Sequence, residues 1–83
     1  MTAEEQILIC AVKYALGRQS YIVGVVADYV NSIKEQISDL CRAVIIRDIQ
    51  EEVEFYHKIG TLCGTECYER TWQNLLDALK EVE

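Results

Sequence analysis

Proline is absent from this sequence, and glycine occurs only four times in 83 residues. Both residues are frequent in the turns of loop-rich and all-β proteins, so their scarcity favours helices. Positive charge is also in short supply, since eight lysines and arginines face fourteen aspartates and glutamates and the formal net charge is −6. A general nucleic-acid binder needs a basic face to replace the counterions of the phosphates. The composition therefore indicates a helical protein that does not bind nucleic acid directly.

Signatures of catalysis are missing as well. The single histidine, His57, has no motif around it, and the sequence contains neither a nucleophile elbow nor a glycine-rich phosphate loop. Carboxylates are plentiful around residues 47–55, but charges at helical spacing usually form a solvated outer face. We therefore expect a protein that is not an enzyme and that uses no cofactor.

The N-terminal residues argue against export and against membrane insertion. They begin with the acids Glu4 and Glu5 rather than a basic segment, and the apolar run that follows is interrupted at Lys13. No apolar stretch approaches the roughly 20 residues that cross a bilayer. The expected location is therefore the cytoplasm, where the four cysteines would be reduced thiols.

The cysteines do not form a convincing metal site. Cys10 and Cys41 lie within predicted helices, where we expect them to behave as small apolar residues. Cys63, Cys67 and His57 are close in sequence, but they provide only three ligands, whereas structural zinc usually has four. We predict no bound metal.

Capping signals and apolar spacing divide the chain into four helices. Thr2 and Glu5 have the spacing of a capping box, which begins a first helix over about residues 3–16, and Gly17 ends it in a left-handed conformation. The run over residues 21–33 is rich in strand-favouring valine, isoleucine and tyrosine. Its apolar residues nevertheless recur at helical spacing, which predicts a second helix capped by Ser20. A strand over residues 21–30 is the alternative and would make the fold α+β.

The second half of the chain predicts two further helices. The third begins at Ser38 and Asp39 and ends at Gly60, a loop of residues 60–66 follows, and the last helix carries Trp72. The fold expected is all-α, a compact four-helix domain over residues 1–83 that, because it is small, we expect to be oligomeric. The predicted core consists of the apolar stripes of these helices: Ile7, Leu8, Ala11, Val12, Tyr14, Ala15, Leu16, Ile22, Val25, Val26, Tyr29, Val30, Ile33, Ile45, Ile46, Ile49, Val53, Tyr56, Trp72, Leu75, Leu76, Leu79 and Val82.

The junction of the first two helices is the stretch that points to a ligand. The first N–H groups of the second helix, those of residues 21–23, are expected to lack intrahelical partners, and such a helix end is a ready anion site. Arg18 lies beside this helix end, and its planar guanidinium can donate two parallel hydrogen bonds to a phosphate or carboxylate. Ser20 can add a hydroxyl unless that hydroxyl caps the helix. The alternative is structural, with Arg18 paired to Asp28 or Asp48 to hold the corner. The sequence leaves both alternatives open.

Two further arginines have different expected roles. Arg42 shares a side of the third helix with apolar Ile49, so its charge needs a partner or a route to solvent. Arg47 lies amid Asp48 and Glu51, and a salt bridge is its simplest explanation.

The block Tyr14-Ala15-Leu16-Gly17-Arg18, followed by Ser20-Tyr21, resembles the hallmark of small proteins encoded by phages and prophages of Gram-positive bacteria. In those proteins a tyrosine-alanine-leucine-glycine-arginine block is followed, after one residue, by serine or threonine and then tyrosine. Two shorter segments match in the same order, residues 46–49 and the Thr71-Trp72 pair with Leu75-Leu76. The resemblance covers most of the chain and implies a phage origin. It singles out a set of polar and turn positions: Gly17, Arg18, Ser20, Tyr21, Arg47 and Asp48.

Small phage proteins without catalytic residues commonly act by stoichiometric binding, often against host defence. The resemblance therefore implies a counter-defence protein in the cytoplasm of a bacterial host. With that implication, the sharper hypothesis is sequestration of a small anionic, nucleotide-type ligand by a homo-oligomer. Arg18 and Ser20 would hold the phosphate at the start of the second helix, and Tyr14, Tyr21 and Arg47 would form walls of the pocket.

A different class of function is also compatible with the charge. The chain is acidic, so its carboxylates at Glu51, Glu52 and Glu54 could cover a basic surface of a host defence enzyme and inhibit it. A third possibility is a structural or regulatory adaptor within the phage programme.

Overall fold

The computed structural model describes residues 1–59 and 66–82, and of residues 59, 66 and 67 only the backbone. Four helices occupy these ranges: α1 (Ala3–Ala15), α2 (Ile22–Ile33), α3 (Asp39–Ile59) and α4 (Glu66–Lys80). The same ranges contain no strand, so the α+β alternative is wrong. The radius of gyration, 12.2 Å, is close to the roughly 12 Å typical of a compact domain of this length. The prediction of an all-α, compact four-helix fold is confirmed.

The helices form two hairpins that pack face to face. α1 contacts α2 and α3, and α4 contacts the same two helices, so α1 and α4 lie diagonally opposite. α1 runs parallel to α3, because its first turn lies beside Ser38 and its end lies beside Glu52. Arg42, near the start of α3, and Val82, beyond the end of α4, line one cavity, so this pair of helices is antiparallel. Residues 34–38 therefore join two diagonally opposite helices.

The core lies where the four helices meet, and most of its predicted members in α3 and α4 are confirmed. Ile45, Ile49, Trp72, Leu75 and Leu79 are all buried, because their spacing places them on one side of each helix. The side chains with no exposed surface come from all four helices: Val12, Ala15, Val23, Val30, Cys41, Ile45, Ile49 and Trp72. The loop was predicted over residues 60–66, whereas α4 already begins at Glu66. Gly60, which was predicted to end the third helix, and the rest of that loop lie outside the described residues.

Cys41 behaves as the small apolar residue that the sequence indicated. It has no exposed surface, and this burial raises the pKa of its thiol. A raised pKa keeps the thiol protonated near neutral pH, which makes it less reactive.

Four residues that were predicted to belong to the core lie at the surface instead. Ile7 and Tyr14 of α1 are 68% and 56% exposed, and Val25 and Tyr29 of α2 are 57% and 58% exposed. Cys10, which was expected to behave as a small apolar residue, is also exposed. The apolar arcs of α1 and α2 are wider than the strip that the other helices cover, and these side chains lie outside that strip.

Glu5 joins the start of α1 to the start of α3. The predicted capping box is present: the Glu5 N–H donates to the Thr2 hydroxyl at 3.1 Å, and the Thr2 N–H donates to a Glu5 oxygen at 3.1 Å. The other carboxylate oxygen accepts from the Ser38 N–H at 2.7 Å. Ser38 in turn caps α3 as predicted, since its hydroxyl accepts from the Cys41 N–H at 3.2 Å. The hydrogen bonds from Ser38 and Thr2 lower the pKa of Glu5 to about 2.

Arg42 holds the connection between α2 and α3. Its side chain is buried, and Nη1 donates to the carbonyl oxygens of Lys34 at 3.2 Å and Ile37 at 3.3 Å. Nη2 pairs with the carboxylate of Asp39 in the first turn of α3. The partner that the sequence required for this charge is therefore the backbone of the connecting residues together with one carboxylate.

Replacing Glu5 with glutamine should flatten the dependence of stability on pH in acid. The folded pKa of about 2 lies below the ordinary value of 4.5, so the carboxylate stabilises the fold fully above pH 4.5 and progressively less as the pH falls towards 2. Urea unfolding across this range should show a smaller loss of stability for Glu5→Gln than for the wild type. Glu51→Gln, at an exposed acid of α3, is the control, and an equal flattening there would contradict the assignment.

Replacing Arg42 with methionine should destabilise the fold by about 1.5–3 kcal/mol, because the variant leaves two carbonyl groups and Asp39 without their charged donor. The measurement is the free energy of unfolding in urea. Arg70→Met is the matched control, since Arg70 is an exposed arginine of α4 and its loss should change stability by no more than about 0.5 kcal/mol. Equal effects at both positions would show that Arg42 does not hold the connection.

Candidate functional site

α1 ends in a turn that determines where Arg18 lies. Gly17 has a φ of +81°, the left-handed conformation predicted for it. The N–H groups of Leu16 and Arg18 donate to the carbonyl oxygens of Val12 and Ala15, at 2.9 and 3.1 Å. This turn closes α1 one residue earlier than the predicted boundary and directs the chain back towards α2.

The Arg18 side chain lies against the last turn of α1. Its guanidinium carbon is 4.0 Å from the centroid of the Tyr14 ring, a cation–π contact. Both residues are exposed to solvent. Within the described ranges Arg18 forms no salt bridge, and neither Asp28 nor Asp48 pairs with it. The structural alternative, in which one of these aspartates holds Arg18 at the corner, is therefore not what the structure shows.

The start of α2 differs from the prediction in two respects. The N-cap is Tyr21 rather than Ser20, and no side chain caps the helix, so the prediction of a serine cap is wrong. The Val23 N–H is not free either, because it donates to the Ser20 carbonyl oxygen at 3.2 Å. Consequently the helix end offers fewer unpaired N–H groups than expected, while the Ser20 hydroxyl is not used as a cap.

The five predicted site residues are only partly brought together. Tyr14 and Arg18 are in contact, Ser20 is half-buried in the same turn, and Tyr21 beside it is 83% exposed. Arg47 belongs to α3 and forms no hydrogen bond or salt bridge with the other four in the described part of the chain. Its Nη2 lies 3.8 Å from a carboxylate oxygen of Asp48, which is the ion pair that the sequence suggested.

A carboxylate that the sequence placed among the solvated acids lies next to this turn. Glu52 is half-buried, and a Cβ added to Gly17 would lie 3.9 Å from its Oε2. Burial raises the pKa of Tyr56, and the charge of Glu52 and a hydrogen bond with it raise that pKa further. Position 52 is seven residues from Ile45 and four from Tyr56, a helical spacing that could have placed it on the inner side of α3.

Three cavities are found elsewhere on the described surface. The largest, about 800 Å³, is an open groove between α1 and α2, mostly apolar and with Glu4 and Glu5 at one end. A second of about 530 Å³ lies beside Arg42, and a third of about 290 Å³ lies between α2 and α4. None of the five predicted site residues lines these three cavities. Tyr14, Arg18 and Tyr21 are instead exposed at the surface.

The cluster considered as a metal site is only partly described. His57 is 71% exposed at its side chain, and its Nε2 lies 3.5 Å from a carboxylate oxygen of Glu69 on α4. Cys63 and the side chain of Cys67 lie outside the described residues.

None of the four described helices has the combination of length and apolar character that a membrane crossing requires. Comparison of the chain with protein-family models, with curated proteins and with solved structures gave no match. The resemblance to phage proteins therefore stays a prediction from the sequence motifs around Arg18 and from the two shorter segments.

Replacing glycine with alanine should have opposite effects on the stability of the fold at Gly17 and at Gly24. Gly17→Ala should destabilise the fold by about 1–2 kcal/mol, because an L-residue is strained in the left-handed conformation. Gly24→Ala should stabilise it by roughly 0.5–1 kcal/mol, because that helical position has nothing within 4 Å of an added Cβ. Thermal or urea unfolding measures both, and a neutral Gly17→Ala would contradict the assigned turn.

Proposed function

We propose that this chain is a non-enzymatic phage accessory protein that binds and sequesters a small anionic, nucleotide-type ligand in the bacterial cytoplasm, against a host defence. The observation that supports this function is the state of Arg18. Its guanidinium is exposed, lies over Tyr14 at 4.0 Å, and is not neutralised by a carboxylate of the described residues.

The chemistry of the Arg18–Tyr14 pair suits a phosphate. A guanidinium carries five N–H donors in one plane, and two of them can bind a phosphate or carboxylate together. Contact with the Tyr14 ring restricts the orientations of that plane, so less conformational entropy is lost when an anion binds. Ser20 offers a hydroxyl close by, and the exposed ring of Tyr21 is a surface on which a base could stack.

The openness of this surface supports the homo-oligomeric part of the proposal. A small-molecule site usually covers most of its ligand, and Tyr14, Arg18 and Tyr21 stand on an uncovered surface of one chain. A second subunit would provide the missing wall. Arg47 is paired with Asp48 and forms no hydrogen bond or salt bridge with Arg18 within the described residues, so it is the least supported of the five predicted residues.

The alternative of an acidic inhibitor is less well supported by the arrangement of α3. Glu51 and Glu54 are exposed, but Glu52 is half-buried beside Gly17. Arg47 and Lys58 are exposed on the same helix and stand four residues from Glu51 and Glu54 respectively. A surface of alternating charge has less attraction for a basic partner than a uniformly acidic one.

Thermal unfolding with cyclic and linear nucleotides tests the proposal. A ligand at about 100 times its Kd stabilises a binding protein by about 2.7 kcal/mol, which for this length raises Tm by roughly 10–20 °C. Arg18→Ala should abolish the shift without loss of helix content, and Arg18→Lys should weaken it because the planar fork is lost.

The matched control for this experiment is Lys13→Ala, which removes an exposed positive charge from α1. That variant should keep the nucleotide shift. A panel without any shift, or an equal loss in Lys13→Ala and Arg18→Ala, would contradict specific binding at Arg18. Salt-sensitive capture of a host protein that depends on Glu51 and Glu54 would favour the acidic inhibitor instead.

A further inference from the structure

The α1–α2 hairpin carries an apolar surface that no described residue covers. We refer to it as the hairpin face, and it comprises Ile7, Ala11, Tyr14, Val25, Tyr29 and Ile33. Four of its members are between 56% and 68% exposed. The groove of about 800 Å³ runs along it between the two helices. An apolar surface with a groove of this kind is the usual mark of a macromolecular interface.

The hairpin face has the size of the apolar centre of an interface. Since a whole aromatic side chain contributes roughly 150–250 Å², the exposed parts of Tyr14 and Tyr29 come to about 170–290 Å². Ile7 and Val25 add to this area, which then reaches the roughly 300–600 Å² of the largest apolar patch on a typical monomer, a patch that is often functional. Each partner contributes roughly 800 Å² to a standard interface, so polar side chains around the hairpin face would form the rim. The 83-residue chain has a small core of its own, so burial of this face would also add stability.

The charges at the ends of the hairpin face select the partner. Glu4 borders the groove at one end, and Arg18 lies over Tyr14 at the other. Glu4 and Arg18 stand seven residues to either side of Ala11, a small residue that allows close approach of another helix. A second copy placed antiparallel brings Glu4 of each chain beside Arg18 of the other. A parallel copy would instead place like charges together.

We propose that the hairpin face binds a second copy of this chain across a two-fold axis near Ala11, with the two α1 helices antiparallel. Ile7 and Tyr14 of each chain then pack against the other, and the two α2 helices approach each other through Val25 and Tyr29. An isologous contact of this kind is the commonest way in which a small protein forms a closed dimer. The proposal rests on the homo-oligomeric part of the proposed function and names the surface responsible.

This dimer is compatible with an anion at Arg18. The guanidinium has five N–H donors and the Glu4 carboxylate of the second copy has two oxygens, so donors remain for an anion, which then competes with the charge of Glu4. Each dimer then holds two Arg18–Tyr14 pairs, one at either end of the interface, where the second chain forms an additional wall.

Sedimentation of the full chain at high micromolar concentration tests the surface. The wild type should sediment with twice the 9.5 kDa of one chain, and Ile7→Glu and Val25→Glu should each sediment as monomers with unchanged helix content. The control is Phe55→Glu, a comparable exposed side chain on α3, 53% exposed, which should remain dimeric. A monomeric wild type, or equal disruption by Phe55→Glu, would overturn the proposal.

A charge exchange tests the antiparallel register. Glu4→Arg and Arg18→Glu should each raise the dimer Kd between about twofold and thirtyfold, since a surface ion pair contributes about 0.2–1 kcal/mol and occurs twice in the dimer. The double variant should restore the wild-type Kd because the pair is re-formed with its signs reversed. A double variant weaker than both single variants would overturn this register.

The sedimentation and nucleotide-binding results together distinguish a failure of the proposed interface from a failure of the proposed ligand. A wild-type monomer that still binds nucleotide through Arg18 would overturn the interface alone. A dimer that passes both tests but shows no thermal shift with any nucleotide would support the interface and contradict the ligand.

Discussion

The left-handed conformation of Gly17 is the local constraint on which the α1–α2 hairpin depends. Without it α1 would continue or end differently, and the connection of residues 16–21 could not return the chain along α1. The same turn places Arg18 over Tyr14 rather than in solvent beyond the helix. It also brings Gly17 close to Glu52 of α3. The α1–α2 hairpin, the candidate site and the α3–α4 hairpin therefore meet at Gly17.

Two arginines show how position decides what the same side chain does. Arg42 is buried, and its donors are taken up by Lys34, Ile37 and Asp39, so it stabilises the connection between α2 and α3. Arg18 is exposed, and its guanidinium lies over the ring of Tyr14 and forms no salt bridge with the described residues. A buried charge requires partners from its own chain, whereas an exposed one keeps its donors available. This difference makes Arg18 the better candidate for a ligand and Arg42 a structural residue.

The hairpin face connects the candidate site with the small size of the domain. α1 and α2 have apolar residues over a wider arc than α3 and α4 cover, and Ile7, Val25 and Tyr29 lie outside the covered part. A second copy on this face would bury these side chains and bring another chain close to Arg18. The same contact would then supply both additional core and the missing wall of the ligand site.

The sequence by itself determined the helices and much of the core, because capping groups and 3.6-residue spacing act within a few neighbouring residues. The capping box at Thr2, the left-handed Gly17 and the buried stripe around Trp72 were all predictable on these grounds. Only the tertiary structure decided that Ile7 and Tyr29 face outward and that Arg18 lies over the ring of Tyr14. It also decided that Glu5 accepts a hydrogen bond from Ser38, which is separated from it by 33 residues. These outcomes depend on which helices are neighbours, and an apolar stripe has the same spacing whether it faces its own core or another molecule.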